Sequence, residues 1–91
     1  MKIAYRAIKR ADPDAVVIGG CFSSHAPDWT RRVLKQDGLD FMDALSYHVY
    51  WSPPVTEAAS PGEATFIEQQ VEHFDALMRE YGKTKPIYMT E

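Results

Sequence analysis

Cysteine is nearly missing from this chain. Cys21 stands alone, so no intrachain disulfide forms and no metal site can rest on cysteine spacing. Long apolar runs are missing too. The longest, from Ala15 to Phe22, contains two glycines and is far too short to cross a bilayer. Met1–Arg6 lacks the apolar core of a secretory signal and reads as the start of a helix. Neither sign of charge dominates. Ten basic against thirteen acidic side chains leave a net charge of −3, which removes any electrostatic case for nucleic acid or an anionic membrane as partner. Gly19-Gly20-Cys21 lacks the third glycine and the lysine of a phosphate cradle. Ser23-Ser24 lacks the flanking glycines of a nucleophile elbow, so a serine hydrolase is poorly supported.

What is present is the composition of a soluble globular domain. At 91 residues, such a chain buries only a modest fraction of its surface. There is no linker and no low-complexity tract. Three helix-then-strand units follow one another. In the first, Ile3, Ala4, Ala7, Ile8 and Ala11 share one helical face, and Lys2, Arg6, Lys9 and Arg10 hold the other. Asp12-Pro13-Asp14 stops that helix, since the residue before proline avoids the α region. Ala15-Val16-Val17-Ile18 then reads as a strand covered on both faces, with Gly19-Gly20 as a sharp turn at its carboxyl end.

The second unit begins near Pro27-Asp28. Trp29, Val33 and Leu34 form its apolar stripe, and Gly38 is the expected C-terminal stop. The strand Ala44–Tyr50 follows. Leu45, Tyr47 and Val49 take one parity; Ala44, Ser46, His48 and Tyr50 take the other, small at the bottom and polar at the top. In the third unit, Ser60-Pro61-Gly62-Glu63 has the features of a capped helix start. Phe66, Ile67, Val71, Phe74, Leu77, Met78 and Tyr81 give that helix its apolar face. Gly82 ends it, and Pro86 opens a last strand running to Glu91. The alternation implies three parallel strands with helical crossovers.

Several chemistry-bearing residues then fall at the carboxyl ends of the strands: Ser23 and His25, His48 and Tyr50, Trp51, and Glu91. Glu91 is either a solvated carboxylate or a nucleophile or general base on a strand tip. Strand parity favours the second, because Ile87, Met89 and Glu91 share a side while Tyr88 and Thr90 take the other. His48 and Tyr50 sit two apart and point to one face. Imidazole and phenol can donate to a nearby carboxylate and keep it ionised; a core-satisfied histidine and a packed tyrosine are the plain alternative. Trp51 can stack on the apolar face of a sugar ring or merely cap the core. Trp29, on its helix stripe, is expected in the core.

Three segments together resemble a known family: Asp12-Pro13-Asp14-Ala15-Val16-Val17-Ile18-Gly19-Gly20, then Asp43-Ala44-Leu45-Ser46-Tyr47-His48-Val49-Tyr50, then Lys85-Pro86-Ile87-Tyr88-Met89-Thr90-Glu91. In order and spacing they are similar to the later part of a retaining glycoside hydrolase, of the large (β/α)₈ clan that includes families 5 and 39. The resemblance spans essentially the whole chain, as fourth helix through seventh strand. It implies an α/β fold over residues 1–91 that is a partial (β/α)₈ TIM barrel, three parallel strands alternating with three helices. It makes Glu91 the catalytic nucleophile. Tyr50 or His48 becomes its hydrogen-bonding neighbour at the sugar, with Trp51, His25 and Ser23 as substrate contacts. It implies a carbohydrate substrate and no cofactor, since carboxyl groups supply both nucleophile and acid.

The chain departs from the clan at one point. The clan's acid/base glutamate follows an asparagine at the end of the fourth strand, and this sequence contains no asparagine. Asp28, Glu57 and Glu63 lie in loops or helix starts, where nothing suggests a replacement. A retaining enzyme needs two carboxyl groups roughly 5–5.5 Å apart, so the chain alone is expected to be inactive, as a segment of a larger glycosidase. With two strand edges unpaired, it is also expected to self-associate or be completed by missing barrel segments. Two other readings remain. One is a fragment of a metal-dependent hydrolase using His25, His48 and Glu91. The other is a non-catalytic α/β interaction module.

Overall fold

The computed structural model describes residues 1–23, 27–50 and 62–91. Helix α1 (Lys2–Ala11) leads to strand β1 (Ile18–Ser23). Helix α2 (Pro27–Lys35) and a short 3₁₀ helix (Gly38–Phe41) lead to β2 (Ala44–His48). Helix α3 (Glu63–Glu80) leads to β3 (Ile87–Met89). The strands form one parallel sheet in the order β1-β2-β3. This is the mixed α/β architecture that the alternation predicts. No helix among the described residues is long and apolar enough to cross a membrane.

The core lies between the sheet and α2 and α3. Phe22, Leu45 and Tyr47 enter it from the strands, Leu34 from α2, and Phe74, Leu77 and Met78 from α3. The Phe74 ring centres 5.2 Å from Tyr47 and 6.4 Å from Phe22, within the range where aromatic pairs add to simple burial. On the other parity of β2, Ala44 and Ser46 are buried and His48 is half-buried, so the small-then-polar pattern faces away from the helices.

β1 departs from the sequence reading. The ladder runs over Ile18–Ser23, not over Ala15–Ile18, and Gly19-Gly20 lies inside the strand. Two facts account for this. The Val17 N–H donates to the Asp43 carboxylate at 2.8 Å, while the Val17 carbonyl accepts from Asp43 N–H and Ala44 N–H. That stretch is therefore held below the sheet. The glycines then supply a bulge. Gly19 pairs with Leu45 and Phe22 with Tyr47, so Gly20 and Cys21 together oppose Ser46. Gly20 has φ of 107° and Cys21 of 46°, the left-handed geometry that such an insertion uses. An unbulged strand would pair Phe22 with His48 and turn its ring away from the core. The extra residue switches parity and brings Phe22 to 1% exposure.

The helices also differ in detail. Trp29 is 60% exposed, and Thr30 is the buried residue of that turn. α2 is thus rotated from the orientation its apolar stripe suggests. Asp37, with φ of 59°, takes the left-handed position expected of Gly38, which instead opens the 3₁₀ helix. α3 begins at Glu63 with Gly62 as its N-cap, later than the capping pattern predicts; Ser60 and Pro61 lie outside the described residues.

α1 shows the largest departure. It docks by its basic and aromatic face. Tyr5 meets Phe41 edge-on at 6.1 Å, Lys2 and Arg6 stand over the Phe41 ring, and Lys9 donates to the Ala15 carbonyl at 2.7 Å. The expected apolar face is bare, with Ile3 85% exposed and no residue of the helix buried. Asp43 explains the inversion. Its carboxylate accepts from Tyr5, Lys9 and Val17, which draws the polar side of α1 inward.

Candidate active site at the carboxyl end of the sheet

β2 delivers His48 and then Tyr50 to its carboxyl end; β3 delivers Thr90 and Glu91 beside them. Backbone pairing continues past the nominal strand ends. Thr90 N–H donates to the Tyr47 carbonyl at 3.1 Å, and Val49 N–H donates to the Glu91 carbonyl at 3.2 Å. The first bond continues the ladder and the second slips it by one residue, since an unbroken ladder would take Val49 N–H to the Thr90 carbonyl; together they hold the two tips side by side.

The Tyr50 hydroxyl donates a hydrogen bond to Glu91 Oε2. His48 Nδ1 stands 3.6 Å from the same oxygen. That is too long for a hydrogen bond, yet close enough for a favourable charge interaction whenever the imidazole carries its proton. The bond to Glu91 raises the Tyr50 pKa above the ordinary phenol value; burial and the carboxylate's charge add to it. Ionising the phenol would set a negative charge against the Glu91 carboxylate, which favours the protonated phenol. Such an arrangement holds one carboxylate oxygen in a fixed direction and leaves the other for chemistry.

Beneath this rim runs a line of small polar side chains. Ser46 Oγ lies 2.6 Å from Thr90 Oγ1 and 3.9 Å from Cys21 Sγ. Ser23, half-buried at the end of β1, pairs in register with His48. His25 and Trp51 fall outside the described residues.

Glu91 reaches the rim by a route that parity does not give. Ile87 packs toward the core and pairs with Leu45, and Met89 pairs with Tyr47. Strict alternation would therefore send Glu91 to the helical side. The assigned strand β3 ends at Met89, and the pairing beyond it slips by one residue, with Val49 N–H on the Glu91 carbonyl in place of that of Thr90. The expected neighbours are found; the expected reason is not.

Asp43 is the functional-looking carboxylate that sequence reasoning missed. It sits at the opposite, amino end of β2. Its pKa is lowered, first by the hydrogen bond from Lys9 and then by the Val17 N–H. The signal available was a lone acid at a strand start with an unpaired basic helix face upstream. Its partners mark it as a structural anchor. Among the described residues, His, Cys, Asp and Glu do not gather in threes able to hold a metal ion. Two clefts, of about 700 and 480 Å³, open beside α1, one toward Trp29 and Phe41 and the other toward Ile3. Neither contains Glu91, His48 or Tyr50. No family model, curated protein or solved structure matches the chain.

Proposed function

We propose that the chain is a segment of a (β/α)₈-barrel glycoside hydrolase carrying the nucleophile strand of a retaining enzyme. The observation that carries this reading is the meeting of Glu91, Tyr50 and His48 at the carboxyl end of adjacent parallel strands. That is the end at which barrel enzymes place their chemistry. The sheet with helices on one face, and β2 turning small and then polar residues to the other, also suits a barrel interior.

In this reading the Glu91 carboxylate attacks the anomeric carbon. The bond to the leaving oxygen breaks, and a proton from a second carboxyl group outside this chain goes to that oxygen. Water then gives a proton to that second carboxylate and attacks the anomeric carbon from the face the leaving group vacated, which breaks the bond to Glu91 and gives net retention. Tyr50 orients the attacking group by donating a hydrogen bond to one of its oxygens. His48 stands where it can contact the sugar. The bare strand edges and the exposed face of α1 are surfaces that further barrel strands, or a second copy, would cover.

A fluorinated glycoside, added to the assembled barrel, tests the reading. Peptide mapping should find the trapped sugar on Glu91. A label on another carboxylate, or turnover with inversion, would remove the assignment.

A further inference from the structure

Ile87 faces the helices, and continued alternation would take Glu91 the same way. Some contact must hold the chain where it departs from that rule. Thr90 is the residue at the departure. Its side chain lies 2.6 Å from the Ser46 hydroxyl, at the short, strong end of O–H···O contacts. Ser46 is 2% exposed, and a buried hydroxyl needs a partner. The nearby Cys21 sulfur, at 3.9 Å, is a weak acceptor that backs Ser46 from the β1 side. The Gly20-Cys21 bulge is what brings it there. Cys21, Ser46 and Thr90 thus form one polar line from β1 through β2 to the residue before Glu91.

We infer that Ser46 and Thr90 are positioning residues, whose hydroxyl pair ties the tip of β3 to β2 and holds the Glu91 carboxylate against Tyr50 and beside His48. This rests on the proposed function only for the use made of the carboxylate. The placement itself can be tested with no sugar present.

The probe is the ring carbon signal of Tyr50 in the chain labelled at tyrosine, assigned with Y50F. Among the described residues, Glu91 is the titratable group bonded to the phenol, with His48 beside the same carboxylate oxygen. An imidazole has lost its proton well before a phenol ionises, so the Tyr50 midpoint reports on Glu91. In the wild type that midpoint should lie above that of E91Q. T90V, which keeps the shape of Thr90 and removes its hydroxyl, should bring it down to the E91Q value. T90S, which restores the hydroxyl, should keep it raised. S46A should behave as T90V does; if S46A fails to fold, the Thr90 pair decides. The inference is overturned by T90V titrating like wild type, by T90S falling with T90V, or by wild type already titrating like E91Q. A fluorinated glycoside that labels another residue, with the Tyr50 results intact, would sink the glycosidase reading and leave the latch standing.

Discussion

The bulge in β1 makes a quantitative claim about Gly20. An alanine there must adopt φ near 107°, and its Cβ would lie 2.4 Å from Phe22 Cε2 and 2.6 Å from Cδ2. Gly82 provides the control. It too has positive φ, 77°, but an added Cβ would meet nothing within 4 Å. A left-handed non-glycine residue costs roughly 1–2 kcal/mol, and G82A should lose about that. G20A should lose this and more, because the Phe22 ring is 1% exposed and cannot move without disturbing Phe74. Overpacking of this kind adds about 1–3 kcal/mol. Both variants gain the same unfolded-state stiffening from alanine, so that effect cancels in the comparison. One kcal/mol moves the melting midpoint of a domain this size by about 4–8 °C. The midpoints should therefore separate by at least about 4 °C, with G20A lower, at one fixed protein concentration. Far-UV circular dichroism with parallel urea titrations reads this directly. If G20A is as stable as G82A, the bulge does not hold Phe22 in the core as described. The register Ser23↔His48, and with it the rim, would then need to be redrawn.

Two further outcomes follow from the anchor and the bare helix. The Asp43 pKa lies below the ordinary carboxylate value because Lys9 and Val17 donate to it. A depressed folded pKa gives stability present above the unfolded value of about 4 and lost as pH falls through the folded one. Wild-type melting should therefore weaken steeply in acid below about pH 4, and D43N should show less of that dependence. Lys9, raised mainly by the same bond, should lose its contribution at the alkaline end, above about pH 10. An acid limb unchanged in D43N would dismiss Asp43 as the anchor. Separately, the exposed Ile3 and Ile8 should drive self-association at micromolar concentration. Sedimentation velocity should find I3K/I8K shifted toward monomer, and a monomeric wild type would refute the idea.

Much of the architecture was legible because it depends on local pattern. β2 is the clearest case. Leu45 and Tyr47 enter the core while Ser46 and His48 turn away, as period-two alternation requires. What failed was whatever a distant residue decides. α1 reads as a helix with an apolar face to bury, yet Tyr5 finds its acceptor on Asp43, 38 positions along the chain. That partner fixes which side docks. Gly19-Gly20 reads equally well as a turn or a bulge, because both use positive φ. Only the register against β2, which requires Phe22 to face inward, separates them. Thr30 displaces Trp29 from the core for the same kind of reason, since α2 is rotated by the elements around it.

Glu91 carries this furthest. Alternation predicts side-chain direction only where ladder hydrogen bonds hold the backbone flat, and a strand's last residues have such bonds on one side at most. At that point cross-strand side-chain contacts decide which way the chain exits. The open carboxyl tips of a parallel sheet are where its chemistry sits. The residues that aim a side chain there are therefore expected to be small hydroxyls one step back, such as buried Ser46 and its partner Thr90. Sequence pattern identifies the carboxylate at such a tip. Its direction is set by a bond between two short side chains 44 residues apart, which no local periodicity encodes.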